Sequence, residues 1–260
     1  MALESSTWLM LGLAAAFAGL VDAVVGGGGL IQVPALFTAF PQMAPPTLFG
    51  TNKLSSVWGT AVAARSYARR IRIDWEIALP ASLAALVFAF AGAYTISVFP
   101  PDVFRKLLPF ILVMVAVYVL RKRDFGIVYQ PSCAGRSKRV RAALVGVVIG
   151  FYDGFFGPGT GSFLIFAFIR GFGLDFLRAS SLAKLVNVAC NVAALAWFLP
   201  TAQPLWQLGL WMATCNVVGS MLGARLALRG GARLIRALFL VVLGALILKT
   251  GVDAFAPLAP

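Results

Sequence analysis

Apolar residues run through this chain in long stretches, interrupted by short connections that carry the prolines, glycines and charges. The length and period of these stretches predict helices rather than alternating barrel strands. In the first half the pattern predicts helix a over about 7–25, a glycine break, and a short helix b over 30–40. Helices c (48–68), d (75–98) and e (102–120) follow. The second half reads the same way, as a' (140–156), b' (160–172), c' (178–199), d' (205–227) and e' (233–254). Several segments reach the roughly 20 residues needed to cross a hydrocarbon core of about 30 Å. Helix b does not, since its 11 residues rise only about 17 Å. It is therefore predicted to form, with helix a, a broken or re-entrant pair that meets at the glycines.

The two halves share one register. Gly19, Asp22, Gly26 and Gly28 find counterparts 131 residues later in Gly150, Asp153, Gly157 and Gly159, and Lys53-Leu54 returns as Lys184-Leu185. Trp75 and Trp206, Gly92-Ala93 and Gly223-Ala224, and Arg105 and Arg236 continue the series without a gap. An internal duplication is expected, with repeats over 1–120 and 140–260 joined by a basic linker over 121–139.

Composition places the chain in a bilayer, because 60% of its residues are hydrophobic and only 12% charged, against roughly 25% charged in soluble domains. The first helix lacks a basic leader and is read as a membrane span rather than a cleaved signal. A net charge of +13 raises the question of nucleic acid, which the placement of charge answers in the negative. Fifteen of the 22 basic residues lie in three short connections: Arg65, Arg69, Arg70 and Arg72; Arg121, Lys122, Arg123, Arg136, Lys138, Arg139 and Arg141; Arg225, Arg229, Arg233 and Arg236. That distribution follows the positive-inside rule, with the basic connections cytoplasmic and both termini outside. It also makes equivalent helices point in opposite directions, as in an inverted repeat with a site near the midplane. Parallel duplication is the alternative, and Arg105 and Lys106 fit the inverted scheme least well. The expected fold is an all-α polytopic membrane protein of two inverted repeats, each of about five helical segments.

The candidate chemistry lies in polar residues set in apolar helices. Asp22 and Asp153 would each be costly in a membrane segment, by about 2.5–3.5 kcal/mol on insertion scales. Each either bonds free amides at its helix break or serves as a proton or ion relay. Thr51-Asn52-Lys53 opens helix c, and Lys184, Asn187 and Asn191 lie near the start of c' at helical spacing. A lysine there either snorkels to the interface or contributes to a shared site. With the amides expected at Gly27, Gly28 and Gly29, at Gly159, Thr160 and Gly161, and with Ser162 nearby, the set reads as an anion-binding site at helix N-termini. In the alternative, each lysine pairs with the aspartate of its own repeat. The glycine run itself is either a packing device or an unwound loop against a ligand. Gln32 and Asn216 are read as interhelical contacts. Cys133, Cys190 and Cys215 have no metal or redox spacing, and no cofactor or metal is expected.

The motifs Gly19-x-x-Asp22-x-x-x-Gly26-Gly27-Gly28-Gly29-Leu30-Ile31-x-Val33-Pro34 and Gly50-Thr51-Asn52-Lys53-Leu54 resemble those of the sulfite exporter TauE/SafE family. In the second half, Gly150-Phe151-Tyr152-Asp153-Gly154-Phe155-Phe156-Gly157-Pro158-Gly159-Thr160-Gly161 and Ala183-Lys184-Leu185-x-Asn187 resemble them too. The resemblance implies an inner-membrane transporter of a small sulfur-containing anion such as sulfite, sulfoacetate or another organosulfonate. The expected mode is secondary transport by alternating access, in the export direction. A passive anion channel and an intramembrane enzyme are the competing classes; the absence of histidine and of a nucleophile elbow argues against the enzyme. The expected partners are the anion, the bilayer and a possible second copy of the chain.

Overall fold

The computed structural model describes residues 4–121 and 135–229, which form nine α-helices. They are α1 (Ser5–Val25), α2 (Gly29–Ala39), α3 (Pro45–Ala68), α4 (Trp75–Val98) and α5 (Pro101–Arg121) in the first half. The second half contributes α6 (Gly135–Phe155), α7 (Thr160–Phe172), α8 (Phe176–Thr201) and α9 (Trp206–Leu228). Helix e' lies outside the described residues. Two boundaries differ from expectation. Helix α6 starts at Gly135, so the basic residues Arg136, Lys138 and Arg139, assigned to the linker, form its first turns instead. Acidic partners at the α4 N-terminus hold two of them, since Lys138 Nζ lies 2.6 Å from Asp74 and 3.2 Å from Glu76, and Arg139 3.2 Å from Glu76. Helix α3 starts at Pro45 rather than 48 because a proline in the first turn gives up an amide that has no helical partner anyway.

Among the described residues, α1, α4 and α8 are long and apolar enough to cross a membrane. Leu79, Leu83, Val87, Phe110, Val148 and Trp206 lie exposed on the outer surface of the bundle. In water that would be costly, and against lipid it is not.

Helices pack across the halves more than within them. Helix α1 lies along α9 and α4 along α6, each pair brought close by small residues. Gly12 faces Trp211, Gly19 the backbone of Asn216, and Gly223 Leu20. In the second pair Gly146 faces Ala81, Gly150 Ala85 and Gly154 Ala89. This is the small-residue packing expected where lipid supplies no hydrophobic drive between helices. The two sets correspond under the repeat: the Gly19–Asn216 contact maps onto Gly150–Ala85. Residue numbers rise together in both, so α1 runs parallel to α9 and α4 parallel to α6. Helices α3 and α8, equivalent in sequence, run in opposite directions. Thr47 Oγ1 donates to Ala202 O at 2.6 Å, Gly50 lies against Phe198, and Lys53 reaches Asn191. With these directions, Arg65–Arg72, Arg136–Arg141 and Arg225 with Arg229 gather at one end of the bundle.

Two cores fill the interior. One joins α1, α2, α3, α5 and α9 around Leu11, Val24, Leu36 and the rings of Phe37, Phe49, Phe104 and Phe156. The other joins α4, α6, α7 and α8 through Ala81, Ala85, Leu164, Phe168 and Val186. Between them meet the two helix breaks.

Candidate functional site

Helix α1 ends at Gly26, whose φ of 79° is left-handed and whose amide donates to Asp22 O at 2.9 Å. Glycine is the residue that tolerates this conformation readily. The chain turns through Gly27 and Gly28 and starts α2 at Gly29, folding back so that Gly28 rests on the backbone of Ala18. The second break, Gly157-Pro158-Gly159, uses left-handed φ values of 91° and 85° at its glycines. Tyr152 Oη donates to Pro158 O at 2.5 Å and holds the turn. The breaks touch: Ser162 N donates to Gly26 O at 3.1 Å, Ser162 Oγ to Val25 O at 2.7 Å, and Gly161 packs directly on Gly26. The expected meeting of two broken helices is thus present.

Both lysines project toward this junction from two turns inside their helices, and they pair crosswise. Lys53 Nζ donates to Asp153 Oδ2, and Lys184 Nζ to Asp22 Oδ2 at 2.8 Å. Each lysine therefore neutralises the aspartate of the other repeat, which rules out the alternative of pairs within one repeat. The reason is the packing described above, in which a break from one half is enclosed by the long helices of the other. Nor do the carboxylates bond loop amides; the lysines are their partners. Lys53 also donates to Asn191 Oδ1 at 3.1 Å, and Lys184 to the main-chain oxygen of Asp22. Thr60 Oγ1 approaches Asp22 Oδ2 at 3.5 Å.

A polar cavity of about 30 Å³ lies at the junction, room for about two waters. Of the residues expected from sequence, Asp22, Gly28, Gly29, Asn52, Lys53, Asp153, Gly159, Thr160, Gly161, Asn187 and Asn191 line it. Four do not. Gly27 lies inside the first turn, its carbonyl accepting from Leu30 N at 3.0 Å. Thr51 accepts from Leu205 N at 2.9 Å and donates to Thr47 O at 2.8 Å, fastening the α8–α9 corner. Ser162 joins the breaks, and Lys184 sits behind Asp22. Part of the α7 N-terminus is also engaged, since Thr160 N donates to Gly157 O at 3.2 Å. Among the described residues, the amides of Gly28, Gly29 and Gly161 have no partner.

Sequence reasoning missed Gly26, Ser56, Thr60 and Gly157 on this wall, and it gave Gln32 and Asn216 only a packing role. The packing contacts exist, as Gln32 Nε2 donates to Ser55 Oγ at 3.1 Å and Asn216 Nδ2 to Ala15 O at 3.0 Å. Both residues nevertheless line the cavity, and among the described residues Gln32 Oε1 and Asn52 Oδ1 are buried without a partner. A signal for two of the others was available. Ser56 and Thr60 stand 131 residues before Asn187 and Asn191, so polar residues recur at equivalent places one and two turns beyond each lysine.

Comparison with known proteins adds the family. The model described as Sulfite exporter TauE/SafE matches residues 11–250. The chain belongs to this family. TauE/SafE proteins are membrane transporters, so this chain is a polytopic transporter, as the motifs implied. A relative in Sinorhizobium sp., "Probable membrane transporter protein ORF9", is 37% identical over 246 residues, 95% of this chain and 93% of its own. "Probable membrane transporter protein YfcA" of Escherichia coli K12 is 32% identical over 238 residues, 90% of this chain and 87% of its own. A "Probable membrane transporter protein" of Haemophilus influenzae is 32% identical over 235 residues, 86% and 87% of the two chains. No solved structure gives a significant match.

Because the Ser162 hydroxyl serves the junction and not the cavity, Ser162→Ala is expected to lower stability by about 1 kcal/mol, a typical net hydrogen-bond contribution. Ligand affinity should stay unchanged. Thermal melting with and without ligand checks both; a loss of affinity without a loss of stability would return Ser162 to the binding wall.

Proposed function

We propose that this TauE/SafE protein is a secondary transporter of a small sulfur-containing anion (sulfite, sulfoacetate or another organosulfonate), working in export by alternating access. The observation that carries the reading is the cavity where two broken helices meet. It is lined by Lys53, by Gly28, Gly29 and Gly161, whose amides have no partner among the described residues, and by Asn52, Asn187 and Asn191. Amides at a helix start carry partial positive charge and orient toward anionic groups. In an apolar surrounding they attract an oxyanion more strongly than in water. The sulfur chemistry and the direction of transport come from the family description and not from the geometry.

The halves are best read as inverted repeats, with the basic end cytoplasmic. Supporting this are the opposite directions of α3 and α8 and the gathering of arginines and lysines at one end. A carrier is favoured over a channel because the cavity, at about 30 Å³, is too small for a many-atom anion and must enlarge to admit one. The two ends also differ. Ion pairs of Lys138 and Arg139 with Asp74 and Glu76 hold the basic end, whereas at the other end a pocket of about 310 Å³ opens among Trp8, Phe40, Met43 and Pro204–Leu208.

The test is a thermal-shift panel of sulfite, sulfate, sulfoacetate, taurine and carboxylate analogues, followed by counterflow in proteoliposomes. A true substrate at a hundred times its Kd stabilises the folded state by about 2.7 kcal/mol and is exchanged across the membrane. Stabilisation by carboxylates alone would sink the sulfur-anion reading, and unitary currents would replace the carrier by a channel.

A further inference from the structure

Lys53 and Lys184 are equivalent in sequence but face different things. Lys184 is fully buried and off the cavity wall, and bonds both the main-chain oxygen and the carboxylate of Asp22. It clamps the last turn of α1 at a carbonyl that also accepts from the Gly26 amide at 2.9 Å. Lys53 bonds no such carbonyl. It is shared between Asp153 Oδ2 and Asn191 Oδ1, and it lies with Asp153 on the wall. The difference traces to one pair of equivalent positions. Asn191 offers Lys53 an acceptor, while Thr60 in the same place of the other half turns its hydroxyl toward Asp22.

Resting on the anion-transport reading above, we infer that Asp153 is the proton-coupling carboxylate of the transport cycle: an entering anion takes its place on Lys53, and Asp153 binds one proton as it is displaced. The wall carries Asp22, Asp153 and Lys53, and Asp22 is already neutralised from behind by Lys184. Bringing in an anion with Asp153 still ionised would set two negative groups on one ammonium in a site nearly free of water. A buried ionised carboxylate without a partner is far costlier than its neutral acid. One proton added to the carboxylate removes that cost and turns it into a hydrogen-bond donor for the anion. When the anion leaves, Lys53 pairs again with Asp153 and the proton is released to the side now open. One proton and one anion thus travel together, and a monoanion moves without net charge.

The surroundings of Asp153 leave few competing groups. Helix α3 brings Lys53, α8 brings Asn191 and the Cys190 thiol, and α1 brings Asp22 across the cavity. On its own helix Tyr152 is engaged with Pro158 O. Helix α4 meets this part of α6 with Ala89, Gly92 and Ala93. Among the described residues, Lys53 is therefore the one cation in contact with the carboxylate.

The test counts protons on the wild-type, full-length protein. Titration with sulfoacetate and with sulfite in buffers of different ionisation enthalpy is expected to give about one proton bound per anion, after correction for sulfite's own titration in the same buffers. A count near zero for an anion that binds overturns the inference and leaves the transport reading intact. If no anion of the panel binds, the transport reading fails and this inference with it. A second variant makes the same point by another route. Asp153→Asn keeps an acceptor for Lys53 but cannot titrate, so its affinity for sulfoacetate should become independent of pH around neutrality. Unchanged pH dependence in Asp153→Asn would also overturn the inference.

Discussion

Lys53→Met is expected to destabilise the protein by about 3–5 kcal/mol, the usual consequence of removing one partner from a buried ion pair. Lys53 and Asp153 are each 2% exposed, so neither solvent nor lipid can take over the missing charge. Adding Asp153→Leu should recover most of the loss, because apolar side chains of similar volume often replace a buried pair at little cost. Adding Asp22→Leu instead should deepen it, since Lys184 then loses its partner as well. Thermal melts of the single and double variants in one detergent decide the matter. Rescue by Asp22→Leu and not by Asp153→Leu would mean that the pairs form within each repeat. The rescued Lys53→Met, Asp153→Leu protein should fold and fail to bind the anion, separating the lysine's structural part from its ligand contact.

The largest backbone effect is expected at Gly26. A Cβ there would lie 2.5 Å from Ser162 N and 2.6 Å from Gly161 Cα, and the residue's φ of 79° disfavours any side chain. No flexible side chain is present to move aside, so the α1 break and the α7 start would have to separate. Gly26→Val is expected to cost more than about 4 kcal/mol, the range in which strain at a special φ adds to overpacking. Gly171 supplies the control. Nothing lies within 4 Å of a Cβ built there, and Gly171→Ala in helix α7 should be neutral or stabilising by up to about 1 kcal/mol. Monodisperse folded yield and melting temperature distinguish the two. A well-folded Gly26→Val protein would show that the breaks are not locked against each other.

Period and length alone determined the helices, because an apolar run of about 20 residues has few other ways to satisfy its backbone in a bilayer. The breaks were equally legible, since Gly26–Gly29 and Gly157-Pro158-Gly159 interrupt apolar runs where helix stability argues against them. The offset of 131 residues then matched Lys53 with Lys184 and Asp22 with Asp153. What the repeat did not determine was which lysine meets which aspartate. Pairing within a repeat stayed open as an alternative, and only the packing of α1 on α9 and α4 on α6 brings each break to the other half's lysine. The division between Lys53 on the wall and Lys184 behind it was likewise invisible in sequence. It depends on where each Nζ finds its second acceptor, at Asn191 on a facing helix or at the Asp22 carbonyl of a helix end. Thr51 and Ser162 read as ligands because they flank the motifs, and tertiary contacts with Leu205 and Val25 occupy them instead. A chain's own pattern specifies which groups must be hydrogen-bonded or neutralised, and the approach of distant helices decides by what.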